Sequence, residues 1–430
     1  AVDVTFDASP EPAAPHAARR RLGRSARATI TLCPAAVLLL GGYTAAIAVT
    51  PLPTPDVQLE VEKTEKFAVG SEAAQVIVDA EALPSAIGWE HSAEVWANTD
   101  QAQPIASISK LVTVLVCLEQ QPLEPGAEGP IHVWTQADAA QQNDYLARDG
   151  IAYPVPVGTE MTQRQMLTLA LLPSANDFAY AYAMSIFGDN ATFIAAVNDW
   201  TARNELPSVV LLEPTGMDEG NVATPADVLR IGRLALENPT IAEFTKMQTA
   251  DLPWGIGTVQ NTNALLHRLP GMLGLKTGRS SSAGYNLVAA QTSDASGREL
   301  VKLAVTLGRD SPEARIDSTS GLLASLDALP QETMLVEAEY QVGSVTTVDG
   351  ITVPLVATGA ASTVLLPGET ASRTVTLTEV GAGKAGQAAG SITVDTPASE
   401  EQVQIVTAQA IVEPDFGWRF THPAKVFGWG

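Results

Sequence analysis

Residues 28–49 carry no charged side chain, and Arg19, Arg20, Arg21, Arg24 and Arg27 stand immediately before them. As a helix this run would measure about 33 Å, enough to cross the hydrocarbon core of a bilayer. Arginines in that position stay on the cytoplasmic side, so everything after Val49 is expected outside. Pro34 falls near the start of the run, where a helix tolerates it. Length favours a retained single-pass signal anchor. The small-x-small sequence Ala46-Ile47-Ala48 favours the alternative, a cleaved signal peptide with the mature chain starting at Val49 and secreted. Cys33 opens the apolar run and follows the bulky Leu32, which does not fit a lipid-attachment site.

The rest of the chain divides by pattern. Residues 1–27 are rich in Ala and Pro and read as a cytoplasmic tail, 28–49 as the span, and 50–70 as a Pro-then-charge linker. A first folded domain is expected over 71–329. Within it Gln75-Val76-Ile77-Val78-Asp79 reads as a buried strand. Leu111–Leu118 is too continuously apolar for a surface helix and reads as a helix through the middle of a domain. Met161–Phe187 and Ala191–Asn204 are helical stretches. Tyr285–Ala290 and Leu300–Leu307 are strand-like, separated by turn residues, and Pro312–Leu329 reads as an amphipathic helix. This is an α+β pattern: an antiparallel sheet with helices packed on it. The last hundred residues, 330–430, are Val- and Thr-rich runs broken by Gly and Asp, an all-β module. Its tail carries Trp418, Phe420, Phe427 and Trp429, expected to pack onto that module.

Composition closes several routes. With 46% hydrophobic and 17% charged residues, a sizeable core is available. The net charge of −23 and the lack of a basic stripe argue against nucleic-acid binding. Cys33 and Cys117 lie in different environments, so no disulfide is expected. The five histidines show no metal-ligand spacing, and no Gly-rich phosphate loop precedes a helix; neither a metal nor a cofactor is expected.

Three short motifs carry the chemistry: Ser107-Ile108-Ser109-Lys110, Ser174-Ala175-Asn176 and Lys276-Thr277-Gly278. Residues i and i+3 share a helix face, so Ser107 and Lys110 meet at the start of the buried helix. A serine hydroxyl is a nucleophile only beside a base, and a lysine is a base only when its pKa is depressed. Burial and the charge of Lys276 are both expected to depress it. The Ser107 backbone N–H at a helix start supplies half of an oxyanion hole.

Read together, the motifs resemble those of the penicillin-binding, serine-type D-alanyl-D-alanine carboxypeptidases, whose SxxK, SxN and KTG signatures are shared with β-lactamase relatives. The likeness extends through Ile105–Thr113, Leu171–Asp177, Glu213-Pro214-Thr215-Gly216-Met217, Asn261-Thr262-Asn263 and Gly274–Gly278. It implies a β-lactamase/DD-peptidase-like catalytic domain and a small C-terminal β domain, to which Gly383–Val394 is also similar. It implies roles as well. Ser107 would form the acyl-enzyme, Lys110 accept its proton, Ser174 relay a proton to the leaving amine, and Asn176 bind the substrate amide and steady Lys110. Lys276 and Thr277 would hold the terminal carboxylate, Gly278 would let the edge strand approach the substrate, and the Arg279 N–H would complete the oxyanion hole. The Arg279 side chain either adds a carboxylate contact or is solvated. The expected partners are the peptidoglycan stem peptide, β-lactam inhibitors and the membrane. Ala175 departs from the family's frequent Gly. A DD-endopeptidase, a class A-like β-lactamase using Glu205 and a catalytically silent envelope-binding protein are the alternatives.

Overall fold

The computed structural model describes residues 24–429, with side chains from Ala36 onward. Residues 1–23, and with them most of the expected tail, lie outside it. A helix runs over Arg24–Val49. Its residues Val37 to Leu40, which wind almost once round the helix, are 56–76% exposed. Among the residues whose side chains are described, no helix is long and apolar enough to cross a membrane, and the span expected over 28–49 falls partly outside that set.

The centre of the molecule is a five-stranded antiparallel sheet in the order Met272–Ser280, Gly284–Ala295, Arg298–Arg309, Ser85–Trp89 and Val95–Ala97. Alternate residues of its strands feed two different cores. Leu287 and Ala289 pack with Ile316, Leu322 and Leu323 of the Pro312–Ser325 helix. Val288 and Ala290 face the other way, toward a larger core built around Leu111, Val112, Leu115 and Phe178. That core surrounds the Ser109–Gln120 helix, whose residues from Ser109 to Leu118 are all buried. The sequence pattern of the hairpin therefore encodes a sheet covered by helices on both faces.

Two sequence expectations are corrected. Gln75–Asp79 is not a strand but most of the Glu72–Asp79 helix. Only one side of it is buried, through Ala74 and Val78 at a four-residue spacing, while Val76 is 68% exposed. The β-branched run looked like a strand, and packing at period 3.6 overrode it. The expected linker over 50–70 is also structured. Asp56–Leu59 and Thr64–Ala68 are strands, and they form the two outermost positions of the seven-stranded sheet of the C-terminal module. Between them run Gln341–Thr346, Thr352–Ala357, Glu400–Thr407, Ala388–Asp395 and Thr370–Leu377, with every pairing antiparallel. A third core, including Val345, Leu355, Ile392 and Ile405, fills this module.

The module meets the central sheet at a bidentate ion pair. Arg298 Nη1 and Nη2 donate to Glu369 Oε2 and Oε1 at 2.6 and 2.7 Å, and Arg298 Nη1 also donates to the Val364 carbonyl at 2.7 Å. The aromatic tail departs from expectation too. Phe420 packs edge-on to Tyr43 of the Arg24–Val49 helix, and the Tyr43 hydroxyl donates to the Phe420 carbonyl at 2.8 Å. Trp418 stacks on His422 and Phe427 on Trp429, within the tail itself. Cys117 is a buried free thiol; the Cys33 side chain lies outside the described residues.

Candidate active site

The nucleophile segment begins with a strained turn. Ala106 has φ +47° and opens a 3-10 turn, Ala106–Ile108, that runs straight into the Ser109–Gln120 helix. Ser107 therefore sits in the tighter turn and not in the α-helix proper. Residues three apart nearly eclipse in such a turn, which brings the Lys110 side chain back to the serine. Lys110 Nζ lies 2.8 Å from Ser107 Oγ.

Lys110 is fully buried, and its amine has two further partners: Asn176 Oδ1 at 2.6 Å and the Thr215 carbonyl at 2.7 Å. Burial brings its pKa down to about 7, against the opposing charges of Glu213 and Asp177. The expectation that Lys276 lowers Lys110 gives way here, because burial is the cause. The influence runs the other way: burial, then Lys110 and Arg315, hold Lys276 well below the ordinary lysine value.

These partners determine what a neutral Lys110 does. A neutral amine has two N–H bonds and one lone pair. A carbonyl and an amide oxygen accept hydrogen bonds and cannot donate. Both N–H bonds are then spent on Asn176 Oδ1 and the Thr215 carbonyl. The lone pair is left facing the only partner with a proton to give, the Ser107 hydroxyl.

The second motif crosses between the Gln163–Leu171 and Asn176–Phe187 helices. Ser174 adopts φ +68°, a conformation that costs a non-glycine residue about 1–3 kcal/mol. Its buried hydroxyl has no hydrogen-bond partner among the described residues. Ala175 is fully buried with ordinary backbone angles, so its methyl group fills core space. The Asn176 N–H donates to the Ile151 carbonyl at 2.7 Å, which fixes both the asparagine and the Asp149–Ile151 loop.

The third motif lies on the edge strand Met272–Ser280. Lys276 is buried, and its amine donates to the Thr277 carbonyl at 3.2 Å. Thr277 Oγ1 pairs with Thr262 Oγ1 at 2.6 Å. Gly278 has a different reason for being glycine than expected. A Cβ there would lie 2.5 Å from the Ile105 carbonyl, so the glycine lets the strand touch the nucleophile turn. Arg279 is exposed, with its guanidinium 5.6 Å from the Tyr285 ring centroid.

Ser107, Ser174, Asn176, Thr277 and Arg279 line one cavity of about 310 Å³. Lys110 and Lys276 lie buried beneath it, and Gly278 backs the turn. None of its other liners was given a role by sequence reasoning; among them are Gly150, Thr262, Tyr285 and Arg315. Arg315 is the most consequential. It comes from the Pro312–Ser325 helix, is 8% exposed, and its guanidinium carbon lies 5.7 Å from the Tyr285 ring centroid. Its Nε has no hydrogen-bond partner among the described residues. A sequence signal existed: Arg315 is a charge directly beside Ile316 on the buried face of an amphipathic helix. Glu205 is not among the liners; it ends a turn beyond the Asn190–Arg203 helix at φ +54°. That removes the glutamate on which the β-lactamase alternative depended. Among the described residues no group of three or more His, Cys, Asp or Glu is placed to hold a metal ion.

This arrangement sets a serine hydroxyl beside a buried lysine amine at one cavity of an α+β sheet scaffold. The chain belongs to the peptidase S11 family, D-alanyl-D-alanine carboxypeptidase, whose model matches residues 94–310. It is 34% identical over 152 residues to the D-alanyl-D-alanine carboxypeptidase DacB2 of Mycobacterium tuberculosis, covering 34% of this chain and 51% of that protein. It is 30% identical over 159 residues to a D-alanyl-D-alanine endopeptidase of Pseudomonas aeruginosa, covering 36% of this chain and 51% of that protein. The chain thus spans about half the length of these curated relatives. The fold is similar to that of penicillin binding protein 5 from Haemophilus influenzae, with a TM-score of 0.54 at 20% identity over 77% of this chain and 98% of the other. The Streptomyces K15 DD-transpeptidase is also similar, with a TM-score of 0.51 at 24% identity over 57% and 96%.

Proposed function

We propose that this protein is a serine DD-carboxypeptidase that removes the terminal D-Ala from peptidoglycan stem peptides. The observation that carries the reading is the three-partner environment of Lys110, which leaves a neutral amine only Ser107 to deprotonate. Lys110 takes the Ser107 proton as Oγ attacks the carbonyl carbon of the penultimate D-Ala. The backbone N–H groups of Ser107 and Arg279 stabilise the resulting oxyanion. The C–N bond then breaks as Ser174 gives its proton to the leaving amine and takes in exchange the proton that Lys110 had accepted, which returns Lys110 to its neutral form. Water hydrolyses the Ser107 ester along the reverse proton route. Lys276, Thr277, Arg279 and Arg315 receive the terminal carboxylate. A β-lactam would enter the same cavity and leave a stable acyl group on Ser107.

A membrane attachment belongs to the same reading. The apolar residues exposed on the Arg24–Val49 helix and the arginines before the uncharged run support an anchor with the catalytic domain outside. The endopeptidase reading uses the same residues, and it is favoured by the name of the Pseudomonas aeruginosa relative. Incubation with benzylpenicillin followed by tandem mass spectrometry is expected to place one acyl group on Ser107. Stoichiometric labelling that persists in Ser107→Ala would refute the assignment. Product analysis on a D-Ala-D-Ala pentapeptide and on a cross-linked muropeptide separates the two peptidase readings.

A further inference from the structure

We propose that Glu213 is a positioning residue: its carboxylate gathers the Glu213–Asp218 loop, holds the Thr215 carbonyl on Lys110, and so aims the amine lone pair at Ser107. This deepens the acyl-transfer reading above and rests on it.

The loop is organised around one side chain. Glu213 Oε1 accepts from the N–H groups of Gly216 at 2.6 Å, Met217 at 2.9 Å and Asp218 at 3.3 Å, and from Asn221 Nδ2 at 3.3 Å. Glu213 Oε2 accepts from the Thr215 N–H at 2.8 Å and the Thr215 hydroxyl at 2.7 Å. Successive backbone N–H groups make a concavity for an anion, and here the chain supplies the anion itself. Both oxygens are needed as acceptors. A glutamine would turn an NH₂ group toward N–H or O–H donors whichever way its amide pointed.

The loop so formed is seated on the catalytic machinery at three points. Lys110 donates to the Thr215 carbonyl, and Thr113, on the same helix, donates to the Pro214 carbonyl at 2.7 Å. Gly216, at φ +84°, lies against the nucleophile turn; a Cβ there would fall 1.9 Å from the Ala106 carbonyl and 2.8 Å from the Ser107 nitrogen. If the Thr215 carbonyl turned away, one Lys110 N–H would be free to swing toward Ser107 and the lone pair would no longer face the hydroxyl. Glu213 never touches substrate in this scheme. It acts through the carbonyl.

The charge of Glu213 has a separate consequence. The charged groups acting on Lys110 are the carboxylates of Glu213 and Asp177, which raise its proton affinity against the dominant effect of burial. The ammonium of Lys276 lies close enough to be destabilised by Lys110 in turn, with Arg315 beyond it. Tyr145, beside Thr215, has its own pKa raised by burial and by Glu213. Removing the Glu213 charge therefore lowers the pH at which Lys110 loses its proton.

Acylation by benzylpenicillin is measured from pH 5 to 10 for wild type, Glu213→Gln, Glu213→Asp and the exposed neighbour Glu219→Gln, with thermal unfolding in parallel. Glu213→Gln is expected to lose on the order of tenfold to a hundredfold from the high-pH plateau, and its acid limb to move to lower pH. Glu213→Asp keeps the charge and loses reach, so its plateau falls while its limb stays. Glu219→Gln matches wild type. A folded Glu213→Gln with a lower melting temperature but an unchanged plateau and limb overturns the inference. If Glu213→Gln does not fold, a Glu213→Asp protein acylating at the wild-type rate overturns it instead. A wild-type protein that takes no label overturns the acyl-transfer reading and this inference together.

Discussion

The two ends of the cavity are built on opposite terms. At the base end the ionisable groups have their partners: Lys110 has three, and the Glu213 carboxylate behind it collects six donors. At the other end the polar groups are held open. Arg315 Nε is buried without a partner among the described residues, and Lys276 donates to a carbonyl at a long 3.2 Å. Buried polar groups left unpaired cost about 1–3 kcal/mol each. A fold that keeps them has its proton-transfer geometry finished before substrate arrives and its anion-binding geometry incomplete until then. The difference supports the proposed division, with chemistry at one end and recognition at the other.

The largest expected effect tests the finished end. Lys110→Arg keeps the charge but cannot supply a lone pair, and acylation is expected to fall by about a thousandfold or more while circular dichroism stays native. The wild-type profile should carry the matching signature. Lys110 is active when neutral and its pKa is about 7, so the rate rises with pH toward a plateau above that value and falls about tenfold per unit below it. A folded Arg variant near the wild-type rate would remove Lys110 as base and erase the contrast between the ends.

A smaller effect tests the open end. Arg315→Gln is expected to lower kcat/KM about tenfold to a hundredfold for a peptide with a free terminal carboxylate, mainly through KM. The same peptide ending in an amide should be hydrolysed at a rate the substitution barely changes. Equal losses on both substrates would mean that Arg315 supports the fold and not recognition.

The smallest effect lies outside the cavity. Arg298→Ala breaks the pair with Glu369 and leaves that carboxylate, 12% exposed, without its cation. Thermal unfolding should show a loss of about 1–3 kcal/mol with hydrolysis of a soluble pentapeptide unchanged. A loss of activity there would tie the β module to the site and make the two-ended description too local.

Sequence reading and structure part company along the same lines. The clustering of Ser107, Lys110, Ser174, Asn176, Lys276 and Thr277 around one cavity was legible because each lies in a short motif. The hairpin and the buried helix were legible because their apolar spacing is local as well. Arg315 and the role of Glu213 depend on which distant segments the sheet and the Glu213–Asp218 loop bring against the nucleophile turn. The helix pattern marks Arg315 as facing inward, but no spacing along the chain records which segments it meets there. The misread Gln75–Asp79 segment shows the same limit: Val76, Ile77 and Val78 favour a strand locally, and the neighbours that bury only Ala74 and Val78 decide for a helix. The charge tuning was half legible: the apolar run after Lys110 foretold the burial that lowers its pKa, whereas the two lysines suggested a repulsion from Lys276 that is not among the causes.

One feature of the β module concerns time. Its outermost strands, Asp56–Leu59 and Thr64–Ala68, are made before the catalytic domain, and the strands they pair with, Gln341–Thr346 and Thr370–Leu377, are made after it. While the intervening residues emerge, the two early strands have nothing to join. Closing so long a loop is entropically costly, and pairings of this kind are slow to form. The catalytic domain can shorten that distance by folding first, bringing the ends of its own sequence near each other. On that schedule the module is a seal set last, and a chain truncated before residue 370 would leave the Thr64–Ala68 strand without the Thr370–Leu377 strand it pairs with.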